Sequence, residues 1–207
     1  MKVIWSDECS VQRGSGKGRP WVFRTPITKW NLEVMQPIKT GKDVSVMVWG
    51  AFSGALGRSD LVVMERDPLA LKHGYSSNSY LKILHEQIPR VYKPGLVFMQ
   101  DNAPIHGAKK VKKYMQDMAV EVMEWPPYSP DLNPIEHLWF PLKHSVYKIH
   151  PDIELITGSK EHIQEELGKT LPLAWELIQD SLFDKLAGSM QKRCEAVYKA
   201  KGWHTKY

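Results

Sequence analysis

Three acidic residues have the types and spacing of a catalytic carboxylate set. Asp101 follows the apolar run at residues 96–99, and Asp7 follows a second apolar run at residues 3–5; both runs predict short buried strands. Glu136 lies near the start of a predicted helix, with 34 residues (102–135) between it and Asp101. In open α/β sheets, reacting groups gather at the carboxyl ends of strands. Two strand-end aspartates and a helix-borne glutamate therefore predict a site for a pair of divalent metal ions.

Such a set suits the cleavage of phosphodiester bonds. The reaction needs a water molecule made more acidic and a leaving oxygen whose charge is neutralised, and two Mg²⁺ ions about 3.5–4 Å apart achieve both. Mg²⁺ prefers oxygen ligands and binds through a few carboxylates together with water and substrate phosphate. Because the chain also carries a net charge of +5, which favours a polyanionic partner, the leading hypothesis is a site that acts on DNA.

Each acid also has a purely structural interpretation. Glu136 stands three residues after Asn133, which is the spacing of a capping box. Asp101 precedes Asn102 and suits a turn at the end of its strand. Two further carboxylates compete for the same catalytic roles: Glu8 and Asp131. The combination of three acids, rather than any one of them, favours the metal site.

Positive charge is concentrated in two segments. The segment 13–20 is rich in glycine and basic residues, but Lys17 is followed by Gly18, so the Walker pattern is excluded and a loop that contacts a DNA backbone is predicted. A predicted helix at residues 108–118 carries four lysines, which either bind DNA or form a solvated face. The candidate DNA-binding residues are Arg13, Lys17, Arg19, Lys109, Lys110, Lys112 and Lys113.

The elements that must position these residues follow from hydrophobic periodicity and helix-end signals. Asn133 and Pro134 suit the start of the helix that carries Glu136. Predicted strands cover residues 3–5, 21–24, 44–52, 59–65, 96–99 and 120–125, and predicted helices cover 76–89, 108–118, 134–149, 159–167, a segment beginning at 172, and 180–201. This order predicts a mixed α/β sheet flanked by helices. Residues 1–150 form the core, and residues 151–207 form a helical extension of the same domain.

Composition limits the class of protein. With 207 residues, 43% hydrophobic and 25% charged, the chain is expected to form one ordered domain. Cys9 and Cys194 form no CxxC pair, which excludes a zinc finger and favours a reducing compartment. No apolar run approaches the roughly 18 residues of a membrane span, and no signal peptide is recognised. We expect a cytosolic or nuclear protein that binds no membrane.

Three motifs resemble a known family. They are residues 5–8 (WSDE), 100–106 (QDNAPIH) and 126–139 (PPYSPDLNPIEHLW). In their order and spacing they resemble the catalytic domain of mariner-like DNA transposases, within the Asp-Asp-Glu group of ribonuclease-H-like nucleases and integrases. The resemblance covers about residues 1–150. The third acid, Glu136, matches the branch that ends in glutamate, whereas the mariner branch proper ends in aspartate.

The resemblance implies a ribonuclease-H-like fold with a mixed five-stranded sheet. It implies that Asp7, Asp101 and Glu136 are the metal-binding catalytic triad and that Asn102 and His106 have supporting roles. It further implies two Mg²⁺ or Mn²⁺ ions, hydrolytic cleavage at transposon ends, and joining of the freed 3′-hydroxyl to target DNA. The implied partners are double-stranded DNA and a second copy of the chain, and the implied compartment is the nucleus.

The chain departs from the family pattern at its start. Such transposases usually carry two helix-turn-helix modules ahead of the first aspartate, yet Asp7 stands almost at the beginning. The chain is therefore either a catalytic fragment or a truncated or domesticated copy. A domesticated, inactive DNA- or protein-binding domain and a ribonuclease-H-like nuclease stay open as alternatives. Residues 21–24 match a segment that contacts the partner subunit in such enzymes.

Overall fold

Most elements of the fold follow the predicted order, with different bounds at several points and with no strand at residues 120–125. The computed structural model describes residues 2–13, 44–54, 57–71, 73–203 and 205–207. Lys17, Arg19 and the predicted strand at 21–24 lie outside the described residues. The strands are β1 (Val3–Gln12), β2 (Ser45–Ser53), β3 (Gly57–Arg58), β4 (Val62–Val63) and β5 (Val97–Met99), and the helices are α1 (Ser77–Val91), α2 (Lys109–Asp117), α3 (Glu136–Ile149), α4 (Lys160–Glu176), α5 (Asp180–Ala187) and α6 (Met190–Lys199).

The sheet is mixed and five-stranded, as predicted. Its order is β3-β2-β1-β5, and β4 also pairs with β2. β1 and β2 are antiparallel over nearly their full lengths, from Trp5 opposite Phe52 to Gln12 opposite Ser45. β1 and β5 are parallel, but they pair only from Val3 to Trp5 of β1. Among the described residues, β1 therefore has a neighbour on one side only beyond Trp5, and the sheet opens on the other.

Three predicted strands differ from the structure. β1 does not end before Asp7: it runs through this residue because Gly50 of β2 pairs with it. The single strand expected at residues 59–65 is wrong, since the Ser59 hydroxyl accepts the Ala51 amide at 2.8 Å and interrupts the ladder between β3 and β4. Residues 120–125 form one isolated bridge, between Phe98 and Val122, rather than a strand.

The helices confirm the main periodic signals and correct several boundaries. Ser76 caps α1, and Pro89 lies inside that helix rather than ending it. Pro172 likewise lies inside α4 rather than at a helix start, because the buried side chains of this helix favour its continuation. The long helix expected at 180–201 is divided into α5 and α6. Within the described residues, no helix is both long and apolar enough to cross a membrane.

The pleat of β1 divides the core into two layers. Trp5, Cys9 and Val11 belong to the cluster formed with α3, α4 and α5, whereas Ile4 belongs to the cluster formed with α1 and α2. At the centre of the first cluster, Trp175 of α4 is fully buried. Its ring stacks on Trp139 at 6.0 Å and meets Phe183 edge-on at 5.3 Å. The helices after residue 150 thus share a core with β1 and β2.

Candidate metal centre at the open side of the sheet

The three predicted acids line one cavity. Asp7 lies within β1, Asp101 follows the end of β5 by two residues, and Glu136 is the first residue of α3. Their side chains meet at a cavity of about 580 Å³, whose other walls come from the turn after β5 and the proline-rich loop before α3. Those walls include Asn102, Pro104, Trp125, Pro127, Tyr128 and Asn133. The cavity opens where β1 has lost β5 as a neighbour, so the sheet itself creates the space.

Strand pleating separates Asp7 from its rival Glu8. Successive residues of a strand point to opposite faces of the sheet. Asp7 shares its face with Trp5 and Cys9 and lines the cavity, whereas Glu8 contacts His106 on the α1 and α2 side, with Glu8 Oε1 3.2 Å from His106 Nε2. Glu8 is absent from the cavity wall.

The turn before α3 brings Glu136 towards β1. Asn133 is buried, and its side-chain amide donates to the Ser6 carbonyl of β1 at 3.4 Å. The Asn133 backbone N–H donates to the Pro130 carbonyl at 2.9 Å. In a capping box, the glutamate side chain would accept a hydrogen bond from this N–H. Because the N–H donates to Pro130 instead, Glu136 does not act as a capping-box acid. The rival Asp131 accepts the Thr205 hydroxyl at 3.0 Å and is absent from the cavity wall.

Asp101 shapes a turn and also lines the cavity. Its Oδ1 accepts the Ala103 amide at 2.9 Å and lies 2.6 Å from His106 Nδ1. Both contacts use the same oxygen, so neither occupies Oδ2. The side chain of Asp101 is 48% exposed. The structural and the functional interpretation of this residue are therefore compatible, because one carboxylate oxygen serves the turn while the other is open to a ligand.

His106 joins two carboxylates beneath the cavity. Its ring is 3% exposed and lies between Asp101 on Nδ1 and Glu8 on Nε2. Burial lowers the pKa of His106, but hydrogen bonds to Asp101 and Glu8 outweigh it and raise the pKa to about 10. The hydrogen bond with His106 in turn lowers the pKa of Asp101. Tyr80 packs on the imidazole with ring centroids 4.2 Å apart. His106 thus holds Asp101 from outside the cavity.

Acidic groups crowd together on the cavity side, and each disfavours the ionisation of its neighbours. Burial, followed by the charges of Glu136 and Glu8, raises the pKa of Asp7 to about 8. Burial also raises the pKa of Glu136. A divalent cation would relieve this repulsion, and the acids offer only oxygen, the donor that Mg²⁺ and Mn²⁺ accept. These residues fit such an ion.

The acids do not close around an ion by themselves. In the part of the chain that the structure describes, no group of three His, Cys, Asp or Glu side chains is close enough to enclose a metal. Mg²⁺ sites commonly combine one or two carboxylates with water and substrate phosphate. The open arrangement of Asp7, Asp101 and Glu136 leaves room for such ligands.

Two further contacts refine the site. Asn102, predicted to support the acids, donates from its side chain to the Trp125 carbonyl at 2.7 Å and joins the two walls of the cavity. Lys143 was missed from the sequence, although it lies seven residues after Glu136 and thus two turns along the same helix. Burial raises the pKa of Glu136, and the positive charge of Lys143 offsets part of that rise. The seven-residue spacing between Glu136 and Lys143 could have indicated from the sequence that the two side chains lie on the same face of the helix.

The candidate DNA-binding residues differ in their surroundings. Arg13 donates to the Ile156 carbonyl at 3.0 Å. The four lysines of α2 are exposed, but Lys110 bonds to Asn78 and Lys113 pairs with Asp117 at 2.9 Å. Lys112 lines a second groove, of about 470 Å³, which shares Asp101 and Asn102 with the acidic cavity. Among these lysines, Lys112 has the most direct connection to the candidate site.

Comparisons with known proteins identify relatives of this chain and structures with a similar fold. Residues 69–156 match the family model described as DDE superfamily endonuclease. The chain is 31% identical over 206 residues to the transposable element Tc1 transposase of Caenorhabditis elegans, covering 100% of this chain and 70% of that protein. Two solved structures have a similar fold: the Mos1 transposase paired-end complex with left transposon end, and the Mos1 mariner paired end complex with Mn.

The Mos1 likeness concerns the fold. Both structures give a TM-score of 0.65 at 19% identity and cover 99% of this chain. The chain spans 56% of the Mos1 protein in the first structure and 57% in the second. The ribonuclease-H-like fold expected from the motifs is thus confirmed over nearly the whole chain, including the C-terminal helices that the motifs did not cover.

Proposed function

The chain belongs to the Tc1/mariner family of DNA transposases and contains its catalytic domain, and we propose that Asp7, Asp101 and Glu136 are the residues that carry out the chemistry. The observation that supports this most strongly is their convergence. Three acids from a strand, a turn and a helix line one cavity, where burial and then the neighbouring negative charges raise the pKa of Asp7. Buried carboxylates that disfavour one another's ionisation suit a cation-binding role.

We propose that the cavity holds two Mg²⁺ or Mn²⁺ ions. Bound metal would make a water molecule more acidic and neutralise the charge on the leaving oxygen. Asp7 and Glu136 would provide ligands from the α3 side, and Asp101 would provide its Oδ2 while His106 holds Oδ1. The Mos1 paired end complex with Mn supports a divalent ion of this class.

The proposed reaction has two steps on DNA. Water attacks a phosphorus atom at the transposon end and displaces a 3′ oxygen, which leaves as a 3′-hydroxyl. That hydroxyl then attacks a phosphorus atom of the target strand and displaces a second 3′ oxygen. The end-bound Mos1 complex supports the choice of substrate. We further propose that the chain acts in the nucleus, as a homodimer on the DNA.

A strand-transfer assay tests this function without requiring recognition of the transposon ends. A labelled duplex with a free 3′-hydroxyl is mixed with supercoiled plasmid and the protein. We expect labelled, nicked plasmid with Mn²⁺ and none with EDTA. DNA binding without product would instead favour the inactive, domesticated domain. Cleavage of RNA–DNA hybrids in preference to duplex DNA would favour the ribonuclease-H-like nuclease.

Lys112→Glu is expected to weaken DNA binding. The ammonium group lies on a groove that joins the acidic cavity, where a contact to a DNA phosphate would release a counterion. We expect about a tenfold loss of affinity at 0.1 M salt and a salt slope smaller by about 1. Fluorescence anisotropy over a salt series measures both quantities. Lys185→Glu, an exposed position on α5, is the matched control, and equal losses in the two variants would contradict a local contact.

A further inference from the structure

Arg193 is a buried charged residue outside the cavity. It lies in α6, in the part of the chain that the motifs did not cover, and it is only 1% exposed. Its guanidinium group makes three polar contacts: Nη1 donates to the Asp131 carbonyl at 2.7 Å, Nη2 lies 3.2 Å from His137 Nδ1, and Nε donates to the Ser189 hydroxyl at 2.9 Å. Tyr207 covers it, with its ring 4.7 Å away.

Two of these contacts are with residues that stand before and after Glu136 in the sequence. Asp131 belongs to the short helical turn that leads into α3, and His137 directly follows Glu136. Because a guanidinium group has donors only, His137 Nδ1 must accept. Arg193 therefore connects the segment before Glu136 to the helix that carries it.

The contact geometry is more specific than a stabilising role requires. An apolar side chain of similar size often stabilises a core as well as a buried charge does. A planar guanidinium, in contrast, fixes the direction of each partner. On the other side of the same turn, Asn133 is held by the Ser6 carbonyl of β1 at 3.4 Å. The turn is thus held by β1 from the sheet side and by α6 from the C-terminal side.

We propose that Arg193 is a positioning residue for Glu136, so that α6 is part of the catalytic apparatus. This inference rests on the proposed function, because it takes Glu136 as a metal ligand. Arg193 acts through the backbone of residue 131 and the ring of His137, and it touches neither metal nor DNA. Positioning contacts of this kind typically change metal affinity or activity by 10–100-fold when they are lost.

Arg193→Lys and Arg193→Met test this role against matched substitutions at Arg58. Arg58 also donates to two backbone carbonyls, of Trp175 and Ile178, at 2.7 Å each, and it is absent from the acidic cavity. The Arg193 and Arg58 variants should all have lower melting temperatures than the wild type. Only the Arg193 variants should raise the Mn²⁺ concentration for half-saturation, by about 10–100-fold. They should also lower kcat for strand transfer while leaving KM for DNA within about twofold.

Mn²⁺ titration calorimetry, performed below each variant's melting temperature, gives a result that does not depend on activity. Arg193→Lys keeps the charge and serves if the methionine variant fails to fold. Unchanged Mn²⁺ binding in a folded Arg193 variant, or an equal change in the Arg58 variants, would overturn the inference. Wild-type protein that binds Mn²⁺ but makes no strand-transfer product would overturn the proposed function alone, because the comparison of Mn²⁺ affinities would stand.

Discussion

Asp101→Asn and Glu136→Gln are expected to abolish metal-dependent strand transfer while the fold is retained. Each change replaces a carboxylate oxygen with an amide nitrogen at the cavity wall, and an amide holds Mg²⁺ or Mn²⁺ more weakly. Loss of several kcal/mol of metal stabilisation corresponds to about a 10³-fold slower reaction or more. Strand transfer in Mn²⁺, together with circular dichroism melting, measures both parts of the prediction.

Asp131→Asn is the control for Glu136→Gln. Asp131 precedes the same helix and was its rival in the sequence, but its carboxylate faces Thr205. We expect activity within about threefold of wild type, because Asn keeps the backbone carbonyl that Arg193 contacts and its side-chain oxygen can still accept the Thr205 hydroxyl. Near wild-type activity in Glu136→Gln, or loss of activity in Asp131→Asn alone, would reverse the assignment of the third acid.

The positions of the three acids show what the sequence could predict. Asp101 was located correctly because the apolar run before it forms the buried strand β5. Glu136 was located correctly because Asn133 and Pro134 mark the approach to α3, although the helix begins at Glu136 itself. In both cases the signal is local: a short run of side chains determines the element and its end.

Asp7 shows where local signals fail. The apolar run at residues 3–5 ends before Asp7, yet β1 continues to Gln12 because β2 pairs with it from Trp5 to Gln12. Strand length here depends on a partner some 40 residues away in sequence, and no local pattern reports it. The choice between Asp7 and Glu8 likewise depends on which face of the sheet carries α3, which is a property of the topology.

The role of the C-terminal helices was also beyond sequence reasoning. Arg193 resembles a surface basic residue in the sequence, and only tertiary packing buries it against the turn before Glu136. The same holds for Trp175, whose position among Trp139 and Phe183 requires α3, α4 and α5 together. Long-range contacts of this kind leave no periodic pattern.

Asp7→Asn is expected to stabilise the metal-free protein at alkaline pH. Burial and the neighbouring acids raise the pKa of Asp7 from 3.8 to about 8, so the folded state holds its proton more tightly than the unfolded state does. Stability therefore falls as pH rises from about 4 to about 8 and levels off above that. Asn cannot ionise and avoids this loss. The variant should melt several degrees above wild type at pH 8.5, since each kcal/mol shifts the melting temperature by about 2–4 °C.

The difference in melting temperature between wild type and Asp7→Asn separates the titration of Asp7 from that of His106. The pKa of His106 is raised to about 10 by its two carboxylates, so its stabilising contribution is complete below about 6.5 and is lost as pH rises through 10. That loss occurs in both proteins and cancels in the comparison. Melting in EDTA from pH 4 to 9 should give curves that converge near pH 4, separate progressively as pH rises to about 8, and stay a constant distance apart above that.

With Mn²⁺ at pH 8.5 the order of the two melting temperatures should reverse, because the ionised Asp7 of the wild type would then bind the metal that stabilises the fold. Curves that stay parallel across the whole pH range in EDTA would mean that Asp7 is ionised in the folded protein without cost. Repulsion among the acids would then not favour the binding of a cation in the acidic cavity.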